Sequence, residues 1–298
     1  MSNQVINLSS ATRTNLLSLQ TTQNLIDRTQ QRLATGLKVN SALDDALAFF
    51  QARNLNTRAT DLLNIKSGIS DGINVITSAL QGMTSIHDTL TQMKALAQSA
   101  ISAPDSATRA SLASQFNALR SQIDQLAQDS SFNGVNLLKN TFGGFTAGAD
   151  YLTVKFNEHT QALQVSQLVI SGLKISDFNQ ILGSSALVTG TAGSTTVWGQ
   201  TGVAAIFAIN ASIAAVDSAL TTVQNASQTF GTQSSLLSIR EDFTTNLVNT
   251  LQGGASNLVN ADMNAESANL LSLQTRQQLG TISLSIAQKS EEAILRLF

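Results

Sequence analysis

The chain has 298 residues, one proline, no cysteine, a formal net charge of −2 and 12% charged residues, where a soluble domain typically carries about 25%. Near-neutral charge gives no electrostatic footprint for nucleic acid or an anionic membrane. The lack of cysteine excludes disulfide frameworks, zinc–thiolate sites and thiol nucleophiles.

Two histidines far apart in sequence, His87 and His159, rule out a histidine-rich metal cage. Mean hydropathy is +0.07, yet no unbroken run of about 18 apolar residues predicts a bilayer span. The N-terminus MSNQVINLSS has neither the basic start nor the apolar stretch expected of a secretory signal peptide. Ser, Thr, Asn and Gln replace the missing charge. They hydrogen-bond without the desolvation cost of an ion, which suits a surface that becomes an interface.

In chain order, residues 3–36 read as a helix. A seam at alternating four- and three-residue steps passes through Val5, Ser9, Thr12, Leu16, Leu19, Gln23, Ile26, Gln30, Leu33 and Leu37. That stripe is the pattern of a helix lying along another helix, and Gly36 ends it. Ser41 and Asp44 have the spacing of a capping box, the hydroxyl accepting the Asp44 N–H and the carboxylate the Ser41 N–H. A proline-free helix is predicted from about 42 to 100, with Gly68, Gly72 and Gly82 inside it as points of close helix approach or of weakness. Pro104–Asp105 separates it from a third helix over 105–128, with Leu112, Phe116, Leu119, Ile123 and Leu126 on one face. Phe132-Asn133-Gly134 predicts a turn.

Composition changes over residues 140–204. Tyr151 to Phe156 alternates as a strand, Ala162 to Ile170 as its returning partner, and residues 183–202 read as an exposed Gly-rich loop. Helix resumes over 204–251, with Ile206, Ile209, Ile213, Val216, Leu220 and Val223 on one face and Gly253-Gly254 as its break. Over 255–298 a heptad places Val259, Met263, Leu270, Leu273, Leu284, Ala287, Ile294 and Phe298 on two positions. Glu266, Gln277, Gly280 and Glu291 interrupt it. The predicted fold is mainly α: long antiparallel helical rods folded back on themselves, a terminal coiled coil plus a helical rod domain, with a small β-hairpin/loop insert. The expected division is 1–40 with 254–298, 41–140 with 204–253, and 141–203 as the insert.

No catalytic constellation stands out. Asp44 and Asp45 fit a helix start, and adjacent His87 and Asp88 point about 100° apart on a helix. No HExxH, P-loop, GxGxxG or GxSxG occurs. No enzyme activity, cofactor or metal is expected.

QRLATGLKVNSALDDA at 31–46 resembles the bacterial flagellin signature RLSSGLRINSAxDDA. GISDGINVITSALQGM at 68–83, SSFNGVNLL at 130–138, ASIAAVDSALTTV at 211–223 and NLVNADMNAESANL at 257–270 resemble further runs of that family. The resemblance covers about 3–140 and 205–298. It implies a homopolymer, the helical flagellar filament, with termini in an inner tube and the next helices in a surrounding rod domain. It further implies export by the flagellar type III apparatus, an extracellular location, and a filament cap, hook-junction proteins and an export chaperone as partners. No nucleic acid and no membrane insertion are implied. The fourteen apolar positions Val5, Leu16, Leu19, Ile26, Leu33, Leu37, Val259, Met263, Leu270, Leu273, Leu284, Ala287, Ile294 and Phe298 become the expected polymerisation seam.

The chain departs from the family at Ala46-Leu47-Ala48, where flagellins have AAG, and at its Leu297-Phe298 ending. In similar flagellins a Toll-like receptor grips an LQRVRELA run and a glutamate on the next helix. Here that run aligns with 90–97, which places Gln92 and Lys94 on the two arginines, keeps Leu96, and puts Gln115 on the glutamate. The competing identities are a hook–filament junction protein of the same superfamily, an enzyme carried on a flagellin scaffold, and a cytoplasmic coiled-coil signalling module.

Overall fold

The structure is a computed structural model that describes residues 10–138, 151–158, 165–173, 198–199 and 203–295. Among these are five helices, α1 (Ser10–Thr35), α2 (Ala46–Ser102), α3 (Ser106–Asp129), α4 (Val203–Val259) and α5 (Met263–Leu295). Two strands, β1 (Tyr151–Lys155) and β2 (Gln167–Ser171), form an antiparallel pair. The fold is mainly α, as the periodicity predicts. The chain divides into two compact units, 1–59 with 249–298 and 60–248, and α2 and α4 contribute to both.

In the unit formed by 60–248, α2 buries a strict heptad: Ile69, Ile76, Met83, Leu90 and Ala97 on one position, Ala79, Ile86, Met93 and Ala100 on the other. Such a seam keeps one face of a long helix against its neighbours over many turns. α4 runs antiparallel to it: Lys94 reaches Asp217, His87 approaches Gln224, and the Ser227 hydroxyl donates to the Met83 sulfur. α3 packs on the same core through Ala113, Phe116, Ile123 and Ala127, with Leu112, Leu119 and Leu126 half-buried beside them. The predicted apolar face of α4 holds at Ile209, Val216 and Val223, which are buried, whereas Ile206 is 47% exposed.

Averaged over 18 residues, α4 reaches a hydropathy of 1.8, long and apolar enough by composition to cross a membrane. The count of unbroken apolar residues missed this, because Asn210, Ser212 and Asp217 interrupt the run. Its apolar side belongs to the core, with Ala208, Ile209, Ala215, Val216 and Ala219 buried.

Two of the three α2 glycines are sockets. A Cβ on Gly72 would lie 2.8 Å from Val154 Cγ2 of β1, and one on Gly82 would lie 2.7 Å from Ser130 Cβ and 2.9 Å from Leu138 Cδ1. The hairpin therefore sits directly on α2. Val154 and Ile170 are buried and Leu152 and Leu168 half-buried on one face, while Thr153 and Val169 face outward. Arg240 lies 5.0 Å above the Phe156 ring, and the Leu173 N–H donates to the Leu137 carbonyl at 2.7 Å. The Asn-Gly turn forms with Asn133 at φ 50 and Gly134 at φ 79, closed by two backbone hydrogen bonds between Phe132 and Val135.

The element ends differ from expectation in three places. α2 begins at Ala46, because Asp45, not Ser41, caps it, its carboxylate accepting the Ala48 N–H at 3.0 Å. α4 runs through Gly253-Gly254 to Val259. Glycine costs a helix about 1 kcal/mol but does not oblige it to end, and here Gly254 faces Leu55 at 3.6 Å. Trp198, expected in an exposed loop, is 1% exposed. A large apolar ring surrounded by small polar residues finds a core regardless of its neighbours' composition. Residues 183–197 and 200–202 of that loop and residues 162–164 of the returning strand lie outside the described residues.

Asp105 caps α3, accepting the Thr108 N–H and hydroxyl, both at 2.7 Å. These bonds, the backbone one first, hold its carboxyl below the ordinary 3.8.

Two expectations follow. Gly68 has open space around it, so Gly68→Ala should stabilise the 60–248 unit by up to about 1 kcal/mol. Gly82→Ala should destabilise it, because overpacking costs about 1–3 kcal/mol and outweighs the same propensity gain. Thermal melts should therefore shift in opposite directions. Asp105→Ala should lower the melting temperature at neutral pH. A carboxyl with a depressed folded pKa stabilises above its unfolded value and loses this as pH falls through the folded one. The penalty should thus fade below pH 3.8.

Candidate functional site

The unit formed by 1–59 and 249–298 joins the two ends of the chain. α1 packs on α5, and three contacts fix an antiparallel register. The Arg32 guanidinium donates to the Glu266 carboxylate at 3.0 Å, the Gln277 amide donates to Gln23 at 2.6 Å, and Gly280 receives Leu19. A Cβ on Gly280 would lie 2.7 Å from Leu19 Cδ2. The three heptad interruptions of α5 that fall in this stretch thus each carry a contact with α1. Glu266 is 9% exposed. A carboxylate so placed is costly without a partner, which makes Arg32 a strong constraint on register.

The helix ends beyond this pair are bound to each other. Gly36 leaves α1 at φ 73, its carbonyl accepts the Ala261 N–H at 2.9 Å, and the Lys38 N–H donates to the Val259 carbonyl at 2.8 Å. Leu37 and Asn260 form an isolated antiparallel bridge. Beside them the Asp44 carboxylate accepts N–H groups of Asn40 and Ser41 and the Ser41 hydroxyl, at 3.0–3.2 Å. The Ser41 hydroxyl takes the Leu43 N–H, not that of Asp44. Ser41 and Asp44 therefore close a turn ahead of the helix. Its hydrogen bonds, Ser41's first, hold the Asp44 carboxyl below its ordinary value.

The α5 positions Leu270, Leu273, Leu284 and Ala287 are half-buried at the heptad spacing of Glu266, Gln277 and Gly280. On α1, Ile26 is buried and Leu19 and Leu33 half-buried, but the second heptad position lies one residue earlier than the apolar pattern indicates. Thr22 and Thr29 are buried, whereas Leu16 is 42% exposed and Gln23 and Gln30 are exposed. The reason is visible at Thr22, whose hydroxyl donates to the Ser18 carbonyl at 2.8 Å and leaves its methyl for the seam. Leu37 and Val259 are half-buried and Met263 is 45% exposed. Val5, Phe298 and the Ile294 side chain lie outside the described residues.

A second stripe was not anticipated. On α5, Leu271, Leu279, Ile282 and Ile286 are 56–67% exposed, and on α1 Leu17 is 64% and Leu25 40% exposed. The four α5 residues recur at a spacing close to helical, on the face turned away from Leu273 and Gly280. The seam-oriented heptad had absorbed the periodicity that would have revealed them.

In the 60–248 unit, Gln92 and Gln115 are exposed on the two sides of a groove floored by Ala95, Leu96, Ala118 and Leu119. Lys94 points to α4, its Nζ 2.6 Å from Asp217. His87 Nδ1 is 3.6 Å from Asp88, too long for a hydrogen bond. Among the described residues no group of three or more His, Asp or Glu could hold a metal. What the described residues offer is helix faces.

Comparison with known proteins agrees with that reading. The bacterial flagellin N-terminal helical region matches residues 6–143 and the C-terminal helical region residues 213–298. The chain is 33% identical to flagellin FljO of Caulobacter vibrioides over 98% of both chains, and 28% identical to flagellin C of Rhizobium meliloti over 95% of both. A Bacillus cereus flagellin crystal structure aligns with a TM-score of 0.45 and 17% identity, covering 59% of this chain and 88% of that one. With both terminal regions matched and relatives aligned along nearly the whole length, the chain belongs to the bacterial flagellins, the structural subunits of the flagellar filament.

Proposed function

We propose that this flagellin assembles through the apolar faces its paired ends leave uncovered, Leu271, Leu279, Ile282 and Ile286 on α5 and Leu17 and Leu25 on α1. The exposure of these side chains carries the reading. Burying a large aliphatic side chain is worth about 1.5–3 kcal/mol, and among the described residues of the 1–59/249–298 unit these side chains stay 40–67% exposed. A second copy of the chain is the occupant that a homopolymer supplies. In this reading the same unit forms the inner tube of the filament and the 60–248 unit the surrounding rod. The α1–α5 seam keeps the termini of each subunit in register.

Family membership supports the remaining roles. The subunit leaves the cell through the flagellar type III apparatus with an export chaperone, adds beneath a filament cap onto hook-junction proteins, and works outside the cell without catalysis. Ile282→Glu in the full chain should abolish sedimentable filaments while the 60–248 unit melts as before, because a carboxylate buried without a partner costs several kcal/mol. Filaments in wild-type yield would remove the stripe from the interface.

A second reading concerns detection by hosts. The positions that carry arginine and glutamate in receptor-activating flagellins are here the exposed Gln92 and Gln115, and the Lys94 ammonium is engaged by Asp217. A glutamine cannot reproduce an arginine fork, and losing a charged anchor often costs about 2 kcal/mol, roughly thirtyfold in affinity. Weak activation of the Toll-like receptor follows. A reporter-cell titration of monomer should show low potency, raised by Gln92→Arg with Gln115→Glu. Potency equal to that of an Arg- and Glu-bearing flagellin would contradict it.

A further inference from the structure

Trp198 is the only tryptophan of the chain and stands five residues before α4. It is nevertheless 1% exposed. Its ring lies 5.2 Å from that of Phe116 on α3 at 53°, a tilted aromatic contact of the kind that adds to simple burial. Its carbonyl accepts a hydrogen bond from Arg109 Nε at 3.1 Å, and Arg109 Nη1 donates to the Ala103 carbonyl at 2.9 Å. Arg109 itself stands in the first turn of α3. One guanidinium thus joins the residue after α2, the start of α3 and the stretch leading into α4. The planar fork of arginine can hold two carbonyls in this way, and a lysine ammonium offers no such fixed geometry. The indole Nε1 is buried and finds no hydrogen-bond partner among the described residues. The residue is therefore held by its ring and its backbone, and its polar atom contributes nothing favourable.

We propose that Arg109 and Trp198 form a clasp that ties the stretch entering α4 to the α2–α3 end of the folded unit. Chain added before Trp198 is carried without cost to the helices. Chain added between Trp198 and Val203 pulls the clasp away from the α4 start and loosens the α2–α3 end of the unit. The other side of the insert has its own attachment, where Leu173 donates to Leu137. The clasp is independent of the exposed stripe on α5, so it stands or falls apart from the assembly reading.

The test uses the full chain, with thermal unfolding followed by circular dichroism and by Trp198 fluorescence. Trp198→Ala should lower the melting temperature of the 60–248 unit by about 10 °C, as expected for a large aromatic removed from a core. Trp198→Phe should stay within about 2 °C of wild type, because it keeps a stacking ring and removes an unpaired N–H. Arg109→Lys should fall between these two. In the wild type the fluorescence should be blue-shifted and should red-shift in the same transition as the loss of helix. A ten-residue Gly/Ser insertion after Thr189 should leave the melt unchanged, and the same insertion after Gly199 should lower it by several degrees. An unchanged melt for Trp198→Ala would overturn the clasp. So would a Trp198→Phe loss as large as that of alanine, or equal tolerance of the two insertions.

Discussion

Two helices packed side by side can bury only one face of each. The ends of this chain form such a pair, α1 against α5, and much of what the subunit does follows from that limit. The inner face is used up by register: Arg32 on Glu266, Gln23 on Gln277 and Leu19 in the gap at Gly280. These contacts combine charge, amide and shape, so a one-turn slip would strand a buried carboxylate and drive a leucine into a side chain. The outer face keeps large apolar residues in water. A monomer arranged so leaves the outer side of each paired helix for neighbours to cover.

The 60–248 unit answers the same problem differently. There α2 has three kinds of neighbour, α3, α4 and the hairpin, and its buried heptad from Ile69 to Ala100 reaches essentially zero exposure along about nine turns. Gly72 and Gly82 let the hairpin and the turn after α3 approach the α2 backbone, which no larger residue permits. This unit covers its seam within one chain, whereas the α1–α5 pair leaves Leu271, Leu279, Ile282 and Ile286 more than half exposed.

Much of this was legible in the sequence because long helices repeat their signal many times. The α5 heptad and the core face of α3 could be read directly, and the Asn-Gly turn was fixed by its own chemistry. What could not be read depended on distant partners. A buried threonine in the α1 seam looks polar until its hydroxyl is seen bonded within its own helix. The start of α2 moved from Ser41 to Asp45 because two adjacent acidic residues each close a different turn. Gly253-Gly254 looked like a break, but packing decides where a helix with good flanks ends. The outer stripe of α5 stayed hidden because its leucines and isoleucines share the helix with a stronger seam, and composition cannot say which of two apolar faces a partner will cover.

The central claim is that the paired ends complete their burial only on assembly, while the 60–248 unit is complete in the single subunit. Hydrogen exchange measured on monomer and on filament tests it most directly. Backbone amides of α5 (Met263–Leu295) should exchange within minutes in the monomer and gain several orders of magnitude of protection in the filament. Those of the α2 seam from Ile69 to Ala100 should be strongly protected in both. Strong protection of α5 already in the monomer, or no gain on polymerisation, would contradict the account.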